Sequence, residues 1–155
     1  LMARRIAREL KAVRPADSAH FDQSLKQFET ELNARRQKWE ERMAPVRGRE
    51  VVAYHKEYEY LAYWLGLPII GYVEDKPGIP PSPQHVAEII RTMQQRKVKA
   101  LLVANFTSPS IPQSVADKGG ATMVVLPASV GGEKGIENYG DLFDVIIGKL
   151  AEALQ

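Results

Sequence analysis

Residues 51–67 read VVAYHKEYEYLAYWLGL, and the change of texture inside that stretch decides the fold. Val51, Val52 and Ala53 form a continuous apolar run with no polar alternation, the mark of a strand covered on both faces. A tyrosine-rich pattern of helical spacing takes over directly and stops at Gly66. Three more apolar runs follow: IIGYVE at 69–74, ALLVAN at 100–105 and TMVVLP at 122–127. Helical patterns alternate with them at 82–98, 110–120 and 138–154, the first opened by Ser82 as N-cap ahead of Val86, Ile89, Ile90 and Met93. Strand followed by helix, four times over, predicts an α/β fold with a four-stranded parallel sheet flanked by helices and right-handed crossovers.

The 47 residues before this region are of another kind. LMARRIAREL places Met2, Ile6 and Leu10 on one helical face with no capping residue ahead of it, so the chain is expected to begin inside a larger protein. Pro15, Asp17 and Ser18 then signal a helix start and Pro45 and Gly48 a stop. Phe21, Leu25, Phe28, Leu32, Trp39 and Met43 recur between them, which predicts a helix on the order of 40 Å long. That helix reads either as a strut or as a short coiled-coil arm, although Arg35 and Arg36 interrupt the seam a coiled coil needs. The predicted division is therefore 1–47, an N-terminal helix and a long connecting helix, and 48–155, an α/β lobe.

Composition narrows the function classes. The 155 residues carry 21 Lys and Arg against 19 Asp and Glu, a net charge of +2, which offers no electrostatic case for nucleic acid. The absence of cysteine excludes disulfides, thiolate catalysis and cysteine-ligated zinc without deciding the compartment. No apolar run approaches the roughly 20 residues of a membrane span, and no signal segment is read here.

Ligands of open α/β sheets collect at the carboxyl ends of the strands. Those ends carry Tyr54 and His55, Glu74 and Asp75, Asn105, and the loop PASVGGEKGIENYGD at 127–141. Gly131, Gly132 and Gly135 lie in that long loop without the lysine and serine of a phosphate-binding turn, and no serine elbow is present. His20 and His85 read as surface residues. His55 could serve only as a strand-end hydrogen-bonding group, but with Glu137 on the last loop it offers an imidazole nitrogen and a carboxylate oxygen, half of a zinc, manganese or iron coordination set.

These segments resemble the C-terminal half of the periplasmic or lipoprotein metal-binding receptors of ABC transporters for zinc, manganese and iron. YHKEYEYLAYWLGL is similar to that family's ligand histidine followed by an aromatic-rich helix, and PSPQHVAEIIRTMQQRKVKALLVAN to its Pro-Ser, helix and strand succession. LMARRIAREL with DSAHFDQSLKQFETEL resembles the stretch leading into the rigid helix that joins the two lobes. The resemblance implies a bilobal solute-binding protein whose N-terminal lobe is absent from this chain, located in the periplasm or held outside the membrane by a lipid anchor. It implies no catalysis: a divalent zinc or manganese ion, or iron, is captured between lobes and delivered to an ABC permease. His55 takes the place of the third metal ligand and Glu137 falls near the fourth, with Asp141 as the fallback. Tyr54 and Asn105 line the cleft, Asn105 standing where the family often has Glu. Alone, the chain should hold the ion weakly, since two ligands leave a four-coordinate site half filled. The apolar side of the first helix and the Phe21, Phe28 and Trp39 side of the strut are expected to be the surface the other lobe covers. The rival readings are a helical interaction module and a flavodoxin-like enzyme domain using Glu74 and Asp75.

Overall fold

The computed structural model describes residues 2–76 and 78–155. Two helices come first, α1 (Met2–Val13) and α2 (Ser18–Met43), with a short 3-10 turn, Pro15–Asp17, between them. The α/β region then runs β1 (Val51–Ala53), α3 (Glu59–Leu65), β2 (Ile69–Tyr72), α4 (Pro83–Arg96), β3 (Ala100–Ala104), α5 (Ser110–Gly119), β4 (Thr122–Leu126) and α6 (Tyr139–Ala153). All four strands are parallel, in the order β2-β1-β3-β4, as the continuous apolar runs require.

The chain forms two compact units, Leu1–Lys38 and Trp39–Gln155. The sequence places the division at 47/48, whereas the units part inside α2. The cause is the last turn of that helix, where Trp39 and Met43 are buried within the second unit.

In the first unit, Arg4 pairs with Glu29 at 2.6 Å and Lys11 with Asp22 at 2.6 Å, joining α1 to α2. Ile6, Leu10, Phe21, Leu25 and Phe28 line an apolar groove between these helices. Ile6, Leu10 and Phe28 stay substantially exposed, in keeping with the bare face expected from the sequence. Trp39 does not belong to that face. It is only 4% exposed, packs its ring 5.2 Å from Phe143 and 6.2 Å from Trp64, and donates its indole N–H to Asp144 at 2.6 Å. An indole buries a large apolar body at little cost once its N–H is paired, which is why this ring turns inward.

The core of the second unit joins Val52 of β1, Leu101 and Val103 of β3, and Ile89, Met93 and Val98 of α4 and its exit, all nearly or fully inaccessible. Met93 explains Gly119 at the end of α5: a Cβ there would lie 2.7 Å from the Met93 methyl. Helix α4 begins as expected, the Ser82 hydroxyl accepting the His85 amide at 3.2 Å. Helix α6 is capped likewise by Asn138, whose side-chain oxygen accepts the Asp141 amide at 3.1 Å.

Candidate metal-binding site

Because the strands are parallel, their carboxyl ends share one edge of the sheet, and hydrogen bonds beyond the strands tie those ends together. The Tyr54 amide donates to Leu102, Val73 to Ala53, Glu74 to Tyr54 and Asn105 to Leu126, at 2.8–3.0 Å. The register between β1 and β2 slips by one residue on the way: Val51 faces Ile69, but Ala53 faces Tyr72. One extra residue on β2 turns its following side chains to the opposite face, and this sets where Glu74 points.

His55 is half-buried, with its ring in edge contact with Tyr54 at 4.6 Å between centroids. Its two ring nitrogens face two carboxylates. Nε2 is 3.3 Å from Glu74 Oε2, and Nδ1 is 3.7 Å from Glu57 Oε1. Glu74 is itself fixed, its Oε1 accepting the Gly78 amide at 2.8 Å. Glu57 has its carboxyl held above the usual range because burial outweighs the attraction of His55. The Tyr54 phenol is likewise pushed up, first by burial and then by the negative charge of Glu74. Lys56 turns away to Asp75 at 2.8 Å, which holds the Asp75 carboxyl below its ordinary value.

The remaining predicted site residues gather around the loop after β4. Asn105 Oδ1 accepts the Ala128 amide at 3.3 Å, and its Nδ2 donates to the Gly132 carbonyl at 2.9 Å. The loop closes on itself through Gly131 to Ile136 at 2.9 Å and Gly132 to Ser129 at 3.0 Å. Lys149 fastens it to α6, donating to Glu133 at 2.6 Å and to the Val125 carbonyl at 2.9 Å. Glu137 is exposed at the end of this loop, and its amide donates to Asp141 Oδ2 at 3.2 Å. The same Asp141 oxygen accepts the Asn138 side-chain amide at 2.7 Å. The ionic partners of His55 among the described residues are therefore Glu57 and Glu74, and neither Glu137 nor Asp141 is one of them. No group of three or more His, Asp or Glu residues lies at metal-binding spacing among the described residues.

Glu57 escaped the sequence reading. It lies two residues past His55 in the turn before α3, and no motif along the chain singles it out. His85 is more engaged than a surface residue, since its Nε2 lies 2.8 Å from the Tyr72 carbonyl. His20 is exposed, its ring 5.8 Å from that of Phe21.

Sequence relationship supplies what the geometry of this edge does not, the family. The family model described as zinc-uptake complex component A, periplasmic, matches residues 1–153. The chain belongs to this family. Three solved structures show the fold that members share with it. The Mn-bound periplasmic metal-binding protein from Candidatus Liberibacter asiaticus is 21% identical, with a TM-score of 0.81 over 99% of this chain and 58% of that one. A crystal structure of ZnuA is 20% identical, with a TM-score of 0.81 over 97% of this chain and 56% of that one. The solute-binding protein FpvC from Pseudomonas aeruginosa, in complex with Mn2+, is 22% identical, with a TM-score of 0.74 over 97% and 57%. The chain thus spans about 58% of the length of such relatives, and its α/β region has the fold of one lobe of a bilobal solute-binding protein. No curated protein matches it by sequence. The family is one of periplasmic transport receptors and not of enzymes, and no helix among the described residues is long and apolar enough to cross a membrane.

Proposed function

We propose that this chain forms the C-terminal part of a receptor that captures a divalent transition-metal ion, zinc, manganese or iron, and presents it to an ABC transporter permease. The observation that carries the reading is His55, half-buried at the carboxyl edge of the sheet with a carboxylate opposite each ring nitrogen. An imidazole binds such an ion through one unprotonated nitrogen while the other N–H is oriented by a hydrogen-bond acceptor. Carboxylates near the site offset the double positive charge of the cargo. Nothing in this act makes or breaks a covalent bond: the ion is captured, held and released.

The resemblance nominates Glu137 as fourth ligand, with Asp141 in reserve, but Glu74 is the carboxylate that stands beside His55 and competes with them for that role; Tyr54 and Asn105 line the cleft. The segment preceding this chain in the intact receptor would supply further ligands and cover the apolar groove of Ile6, Leu10 and Phe28. The long α2 helix would make the connection between lobes stiff, so that opening is small.

Calorimetric titration of the intact protein with zinc and with manganese tests the reading. His55→Ala should lower affinity by about tenfold or more, equivalent to about 1.4 kcal/mol. His20→Ala, at an exposed position of the first unit, should leave it unchanged. Equal affinities for His55→Ala and the wild type would remove the central residue from the site and leave the fold without this function.

A further inference from the structure

We propose that Glu74, and not a residue of the loop after β4, is the carboxylate that shares the ion with His55, while Glu57 orients the imidazole from its other nitrogen. The proposal rests on the reading of His55 as a ligand and deepens it.

The first argument is distance. Two donors on one four-coordinate ion, each about 2.0–2.2 Å from it and separated by a tetrahedral angle, lie about 3.3–3.6 Å apart. His55 Nε2 and Glu74 Oε2 are 3.3 Å apart. A relaxed N–H to oxygen hydrogen bond would draw the pair to about 2.9–3.0 Å. The separation therefore matches two donors of one tetrahedral ion, with no large movement of either side chain needed.

The second is preorganisation. Glu74 is only 12% exposed, and one of its oxygens is occupied by the Gly78 amide at 2.8 Å. That bond leaves the other oxygen to face the imidazole, as single-oxygen ligation needs. The backbone under Glu74 is held as well, its amide donating to Tyr54 at 2.8 Å. By contrast, Asp141 already serves the Asn138 side chain and the Glu137 amide, bonds it would have to surrender to bind an ion, and Glu137 is exposed.

The third is the tautomer. Glu57 Oε1 stands 3.7 Å from Nδ1, on the side of the ring away from Glu74, where it can accept an Nδ1–H once Nε2 holds an ion. Binding would sharpen the Nδ1–H as a donor and draw Glu57 closer. His55 and Glu74 supply two donors, and the remaining positions fall to residues outside this chain or to water.

The test uses the intact protein. In calorimetric titration with zinc, Glu74→Gln, which keeps an oxygen for Gly78, should weaken binding about tenfold or more, and Glu137→Gln should change it by less than about twofold. Cobalt loading of Glu74→Cys then reports the ligand directly, because a thiolate bound to cobalt gives a near-ultraviolet charge-transfer band whatever the affinity. The band is expected for Glu74→Cys and not for Glu137→Cys. No band at Glu74→Cys, or wild-type affinity in Glu74→Gln, overturns the proposal even while His55→Ala still loses the ion. If His55→Ala binds normally, it is the reading of His55 itself that fails.

Discussion

Asn105 holds the loop that carries Glu137, and removing its amide tests how that loop is ordered. Asn105→Ala deletes a 2.9 Å bond to the Gly132 carbonyl and a 3.3 Å bond from the Ala128 amide. A typical internal hydrogen bond contributes about 0.5–1.5 kcal/mol net. The shorter bond should stand near the middle of that range and the longer near its foot, a sum of about 1.5 kcal/mol. The strand itself should survive, because the Asn105 backbone amide still donates to Leu126 at 3.0 Å. The loss should therefore be local: opening of 127–136 becomes easier, and amide exchange at Ala128, Gly131 and Gly132 speeds up about tenfold. Exchange at Leu102 and Val103, in the middle of β3, should change far less. Hydrogen exchange followed by mass spectrometry or NMR measures this segment by segment. If the loop amides exchange at the wild-type rate in Asn105→Ala, the loop is held by its own turns and by Lys149, and the role given to Asn105 is wrong.

Other expectations follow from the core and the surface. Leu101→Ala, at a fully buried position of β3, should cost about 2–5 kcal/mol in denaturant unfolding; a loss below 1 kcal/mol would contradict the packing described. Gly119→Ala should destabilise by about 1–3 kcal/mol, since the added methyl meets Met93 at 2.7 Å, and a thermal melt at or above wild type would show that Met93 can yield. Arg96 holds the Glu50 carboxyl below its ordinary value, chiefly through their hydrogen bond. A depressed folded pKa contributes stability above the unfolded value that is lost as pH falls through the folded one. Glu50→Gln should thus be less stable than wild type at neutral pH, with the gap closing in acid below the usual carboxylate value of 4.5; a gap that persists there would assign the effect to something other than charge.

What the amino-acid sequence determined by itself were the features written in local pattern. Four continuous apolar runs could be buried only as strands covered on both faces, and the helical periods between them left no other way to join the strands than in parallel. The position of His55 at a strand end was legible for the same reason. Trp39 shows where pattern alone misleads: its spacing places it with Phe21 and Phe28, yet α2 enters the second unit at that turn and the indole packs on Phe143. The company of His55 was decided only in three dimensions. Nineteen positions separate His55 from Glu74, and nothing along the chain marks them as neighbours. They meet because β2 lies beside β1 and the register slips between Val51 and Ala53. In a sheet, where side chains alternate between faces, one residue of slip moves a carboxylate from one side to the other, and that choice belongs to strand pairing.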